Sequence, residues 1–207
     1  MIESPLLKLD WLVHGFGESN SVYPEGFATV HQIHSDIVLN AGRCGGQLGQ
    51  GDALVSNFAG LTVAVKTADC VPILLGDPKT RAVGAVHAGW RGTAENIVAK
   101  AVEKMASIYG ANPADLIAAI GPSIGPCCYE VSPEVARRFG KWVPEWEQFS
   151  TPGNIDLARV NRIQLEQAGV PSIWSAGVCT QCDHRFWSFR RQKENAGRMF
   201  SFIGVAK

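Results

Sequence analysis

Between residues 61 and 86 the apolar positions fall into three short runs rich in β-branched and aliphatic residues. Leu-Thr-Val-Ala-Val (61–65) is followed by Val-Pro-Ile-Leu-Leu (71–75) and then Arg-Ala-Val-Gly-Ala-Val (81–86). Runs of this length bounded by turn residues predict strands, and Asp77-Pro78-Lys79-Thr80 supplies the turn chemistry for a hairpin between the last two. Beyond them the period changes. Ile97, Val98, Ala101, Val102, Met105 and Ile108 recur at helical spacing, with Thr93 as the expected N-cap and Gly110 as the stop. A strand over 116–120 follows, then a loop punctuated by glycine and proline over 121–126 and a short helix opened by Ser132-Pro133. A weaker amphipathic helix runs from near Asp156 to Gly169, and aromatic strands are expected around 186–189 and 199–203. Strands interleaved with helices, with hairpins among them, predict a mixed α/β sandwich: a mixed β-sheet with flanking helices.

Length and charge narrow the picture. A chain of 207 residues, 46% of them hydrophobic, suits one compact domain over 1–207. Lys plus Arg (19) balances Asp plus Glu (19), and no block of like charge stands out. The field that would draw in nucleic acid or anionic lipid is missing, so neither is an expected partner. The first residues mix apolar side chains with Glu3, Lys8 and Asp10, unlike a signal peptide, and no apolar run reaches the ~20 residues of a membrane span. The expected location is therefore cytoplasmic, where the six cysteines would stay reduced as free thiols or metal ligands.

Three segments place soft or imidazole ligands at the ends of predicted strands: His31-Gln-Ile-His34, Thr67-Ala-Asp-Cys70 and His87-Ala-Gly-Trp-Arg-Gly92. If residues 77–80 form the hairpin loop, Gly76 faces Arg81, and counting back brings Cys70 opposite His87. One thiolate and two imidazoles make a set that zinc accepts while keeping its fourth position for water or substrate. His31 and His34 compete for the third place, and alternation along a strand would send them to opposite faces.

Around this set, Arg91-Gly-Thr93 lies where a strand gives way to the helix, a place where a guanidinium and free backbone N–H groups converge on an anion such as phosphate. Asp52 and Asp69 are candidates for orienting a ligand histidine, shuttling protons or contacting substrate. Cys179-Thr-Gln-Cys182 together with Cys127-Cys128 offers four thiols for a closed structural zinc site, although adjacent cysteines rarely both point at one ion. Trp90, Tyr129, Phe186 and Trp187 could stack on a planar ligand, but aromatic residues at such positions more often fill a core.

The strings Gln32-Ile-His34, Gly51-Asp-Ala-Leu-Val55, Thr67-Ala-Asp-Cys-Val-Pro72, His87-Ala-Gly-Trp-Arg-Gly92, Gly121-Pro-Ser-Ile-Gly-Pro126 with Cys128-Tyr-Glu-Val131, and Phe186-Trp-Ser-Phe-Arg-Arg191 resemble, in order, the motifs of the YfiH family, also called the polyphenol oxidase or laccase-domain family. The resemblance implies one zinc ion held by His34, Cys70 and His87, which favours His34 over His31, and a mixed α/β sandwich like the catalytic domain of certain deamidating toxins. It implies catalysis at those three residues: phosphorolysis of adenosine, inosine, guanosine and methylthioadenosine, with phosphate as co-substrate and some adenosine deamination. Some relatives are implicated instead in peptidoglycan editing, an amide hydrolysis that removes L-serine from a muramyl precursor. Copper is the less favoured ion. A multicopper oxidase needs many imidazoles, and this chain has five histidines, of which His14 and His184 lie outside every matching string.

Overall fold

The computed structural model describes residues 1–207 and shows a mixed α/β fold with two sheets packed face to face and helices against one of them. The six-stranded sheet has the order Ser172–Ser175, Ile117–Ile120, Val71–Gly76, Val83–Ala88, Ala53–Ser56, Val38–Asn40. Its four central strands are antiparallel and both outer strands are parallel to their neighbours. The five-stranded sheet has the order Leu12–Phe16, Met199–Val205, Thr62–Thr67, Ala28–His31, Gly46–Gln50, antiparallel on one side and parallel on the other.

Burial explains why the central runs are apolar throughout instead of alternating. Leu54, Leu74, Val83 and Ala85 point into the space between the sheets, where they meet Val63, Val65 and Ile203. Their neighbours Val55, Ile73, Leu75 and Val86 point the other way, onto the helices. A strand covered on both faces has no solvent side to mark with polar residues. The helix Ile97–Tyr109 buries Ile97, Val98, Ala101, Val102 and Met105 on that outer face, each contributing on the order of 1–3 kcal/mol. Gly110 ends it in the left-handed region at φ 70°, which glycine adopts without penalty. Ser132 and Asp156 cap their helices as expected, each accepting a backbone N–H.

Three expectations are corrected. Thr93 is not the cap of the long helix. It sits inside a separate short helix, Trp90–Ala94, where its hydroxyl accepts from Asn161 Nδ2 at 3.0 Å and its carbonyl from Gln164 Nε2 at 2.7 Å. Asn96, left-handed at φ 62°, separates the two helices. Residues 186–189 form no strand: Phe186 is buried without a ladder partner, and Ser188 caps the helix Phe189–Gln192 by accepting the Arg191 N–H. The hairpin register is offset by two. Asp77 donates to the Ala82 carbonyl, so Gly76 faces Val83, and His87 faces Pro72 instead of Cys70. A shift of two residues preserves the face of every side chain, so Cys70 and His87 still lie on one side as diagonal neighbours.

Candidate active site

The edge where the two sheets meet brings three segments together. Strand Ala28–His31 delivers the loop carrying His34, the turn after Thr62–Thr67 carries Asp69 and Cys70, and strand Val83–Ala88 carries His87. The donor atoms of His34, Cys70 and His87 all lie within 4.8 Å of one another, with Cys70 Sγ 4.0 Å from His34 Nε2. A zinc ion with bonds of about 2.0–2.3 Å holds tetrahedral donors about 3.3–3.8 Å apart, so the set needs only a slight contraction. Gly89 makes room for it. A Cβ there would stand 3.0 Å from His34 Cδ2 and 3.2 Å from Cys70 Sγ, filling the space between the donors.

Asp52 organises the group from behind. It is fully buried, and its Oδ1 accepts the His87 Nδ1–H at 2.8 Å, which leaves Nε2 of that ring for a metal. Its carboxylate also accepts the N–H groups of Ile33, His34 and Ser35 and the Ser35 hydroxyl. These bonds hold His34 at φ 59°, a left-handed conformation that a non-glycine residue keeps only when its surroundings impose it. Burial opposes ionisation of Asp52, but the hydrogen bonds from His87 and Ser35 outweigh it and hold the carboxyl at about 2. Burial likewise pushes the Cys70 thiol up, yet His87 beside it and the bond to His34 bring it down to about 6. His87 is correspondingly lifted to about 9: burial lowers it, and the charge of Cys70 and the bond to Asp52 raise it more.

The three donors open into a cavity of about 590 Å³, within the range of small-molecule sites. Lys66, Arg190, Lys193 and Arg198 line it, against a single carboxylate, Asp69. A chain with no net charge has thus gathered cations at one concave surface. Trp90, Tyr129 and Phe189 supply aromatic wall. Phe189 and Arg190 fall within the 186–191 motif string without an assigned role, and Lys66, Lys193 and Arg198 lie outside every string.

The remaining candidates fall in different places. Asp69 borders the cavity at φ 87°, but its oxygens are engaged at 2.6 Å by the Thr180 hydroxyl and at 2.6 Å by the Arg190 N–H, which fixes the wall bearing Arg190. Asp52 lies behind His87, fully buried, and does not line the cavity. Arg91 is exposed, does not line the cavity, and packs its guanidinium over the Trp90 ring at 4.4 Å. His31 borders the same cavity but is not part of the three-donor group. Phe186 is buried in the fold and Trp187 lies outside the cavity. His14 is engaged inside the fold, its Nε2 accepting the Ser4 N–H at 2.9 Å. No helix is long and apolar enough to cross a membrane.

The chain is similar to a purine nucleoside phosphorylase of Deinococcus radiodurans, 41% identical over 88% of this chain and 72% of that one. It is similar also to a purine nucleoside phosphorylase of Clostridium acetobutylicum, 38% identical over 83% of this chain and 74% of the relative. An adenosine deaminase from an unknown prokaryotic organism is 40% identical over 73% of this chain, which spans 61% of that protein. Among solved structures, YlmD from Geobacillus stearothermophilus superposes with a TM-score of 0.80 at 33% identity, covering 88% of this chain and 74% of its own. The Bacillus licheniformis protein YfiH gives 0.79 at 33% identity, covering 86% and 74%. The family model described as multi-copper polyphenol oxidoreductase laccase matches residues 16–206, and the chain belongs to that family, the YfiH family of the sequence motifs.

Proposed function

We propose that this chain is a zinc-dependent purine nucleoside phosphorylase with adenosine deaminase side activity. The observation that carries the reading is the joining of a three-donor metal group and a cationic, aromatic-lined cavity in one concave site. Relatives named for both activities support it.

Bound by His34, Cys70 and His87, zinc would supply a Lewis-acid position for a substrate oxygen or water at the floor of the cavity. Asp52 keeps His87 in one tautomer and fixes the His34 backbone, so the donor set is formed before substrate arrives. Lys66, Arg190, Lys193 and Arg198 attract phosphate and hold its charge, while Trp90, Tyr129 and Phe189 offer faces to a purine. In phosphorolysis a phosphate oxygen bonds to the anomeric carbon, the glycosidic bond breaks, and the base leaves with the bonding pair and takes up a proton. Asp69, through Thr180 and the Arg190 N–H, holds the part of the cationic wall that bears Arg190.

Incubation of the zinc-loaded protein with adenosine tests this directly. Phosphate-dependent appearance of adenine and ribose 1-phosphate is the expected outcome, with inosine as the minor product. Turnover of amide substrates without any phosphate requirement would replace the reading with the hydrolase alternative, in which Cys70 and His87 act as a nucleophile pair.

A further inference from the structure

Outside the cavity, the loop after strand Ile117–Ile120 meets the loop after strand Ser172–Ser175. There the sulfurs of Cys127, Cys128, Cys179 and Cys182 all lie within 4.8 Å of one another. Cys128 Sγ is 3.4 Å and Cys127 Sγ 3.6 Å from Cys182 Sγ, and all four are free thiols. Four sulfurs around one ion at about 2.3 Å stand about 3.8 Å apart, so this spacing is that of a tetrahedral thiolate set. A disulfide would pull a pair to about 2.05 Å, well inside the spacing of these sulfurs.

The adjacency of Cys127 and Cys128, which weighs against a shared ion on sequence grounds, is overcome by a turn. The N–H groups of Cys128 and Tyr129 both reach the Gly125 carbonyl at 3.0 Å, and the tightened chain turns the two thiols to one side. The Asp183 N–H closes the opposite turn on the Cys179 carbonyl at 3.0 Å, bringing Cys179 and Cys182 to face them. Gly125 donates its N–H to Cys179 Sγ at 3.2 Å, the bond a metal-bound thiolate accepts. Arg191, bonded to the Thr180 and Gln181 carbonyls at 2.8 and 2.7 Å, puts positive charge beside a set that is anionic once loaded.

We propose that Cys127, Cys128, Cys179 and Cys182 bind a second, structural zinc-class ion that clamps the two loops forming one wall of the active cavity. The loops it joins carry Ile124 and Tyr129 on the cavity surface, and Thr180, which holds Asp69. With four protein ligands the ion has no open position, so it supports the wall and performs no chemistry. This distinguishes it from the three-donor site, and neither site needs the other to be correct.

Elemental analysis and native mass spectrometry of wild-type protein, Cys182→Ser and Cys70→Ala, each purified under reducing conditions with zinc, test the proposal. Two ions per chain in the wild type, falling to one in each variant, are expected. A wild type without an ion at the cluster, its four thiols all open to alkylation in the folded protein or joined as disulfides, would overturn it. Should Cys182→Ser fail to fold, cobalt loading of Cys70→Ala answers the same question. The charge-transfer and d–d bands of a tetrathiolate cobalt centre are expected, and their absence counts against the site.

Discussion

Asp52 Oδ1 accepts the His87 Nδ1–H at 2.8 Å while the same carboxylate receives the His34 N–H at 3.0 Å, so one buried acid sets the orientation of both histidines. Replacing it as Asp52→Asn keeps the size but removes the charge that fixes the His87 tautomer. Zinc affinity is expected to fall about 10- to 100-fold by chelator competition, with a loss of about 2 kcal/mol in urea unfolding. The pH dependence has a definite sign. The carboxyl is held at about 2 against an ordinary 3.8, so the unfolded chain binds the proton first as pH falls. Stabilisation by Asp52 is complete above pH ~4 and is lost between there and pH ~2, and Asp52→Asn should flatten that part of the stability profile.

Gly89→Ala places a methyl group 3.2 Å from Cys70 Sγ and 3.0 Å from His34 Cδ2. The backbone at φ −71° accommodates alanine, so the melting temperature of the metal-free protein should barely move. Zinc affinity should drop by roughly tenfold or more because the donors cannot close on the ion. Calorimetric zinc titration of the two proteins checks both halves.

In metal-free protein the Cys70 thiol, brought to about 6 by His87 and His34 against its burial, is already thiolate at neutral pH. Thiolate is the form that alkylates, so the iodoacetamide rate at Cys70 should rise through pH ~6 and level off near pH 7, whereas an ordinary thiol rises through about 8.5. Zinc should suppress the reaction throughout. Peptide mapping of the alkylated protein reads the profile, and a midpoint above pH 8 would contradict the thiolate–imidazolium pairing.

Lys66 lines the cavity and Arg91 does not. Lys66→Ala is therefore expected to raise the KM for phosphate roughly fivefold, the ~1 kcal/mol of one solvent-accessible charge contact, while Arg91→Ala leaves it unchanged. Phosphate saturation curves at fixed adenosine separate the two.

The sequence carried the strand and helix positions of the central fold because burial on both faces and helical period leave local marks. Ile97–Tyr109 and its Gly110 stop were legible for that reason. The grouping of His34, Cys70 and His87 was legible through motif strings. What lay beyond reach depended on contacts distant in sequence. The hairpin register turned on whether Gly76 faced Arg81 or Asp77 closed on Ala82, a choice made by a backbone bond and not by residue type. Residues 186–189 looked like a strand because Phe186, Trp187 and Phe189 are aromatic, but Ser188 caps a helix there. The cationic wall combines Lys66 from one strand with Arg190, Lys193 and Arg198 from the last quarter of the chain, so no local pattern shows that they converge. The four-thiol cluster was visible as spacing, but its convergence depends on the turn at Gly125.

The most direct test of the account pairs two readings on wild type and Cys70→Ala: zinc at the three-donor site, and adenine released from adenosine with phosphate present and absent. The account predicts zinc and phosphate-dependent adenine release in the wild type, and loss of both in the variant while the fold persists. A Cys70→Ala protein that keeps the zinc of this site and releases adenine at the wild-type rate would contradict it.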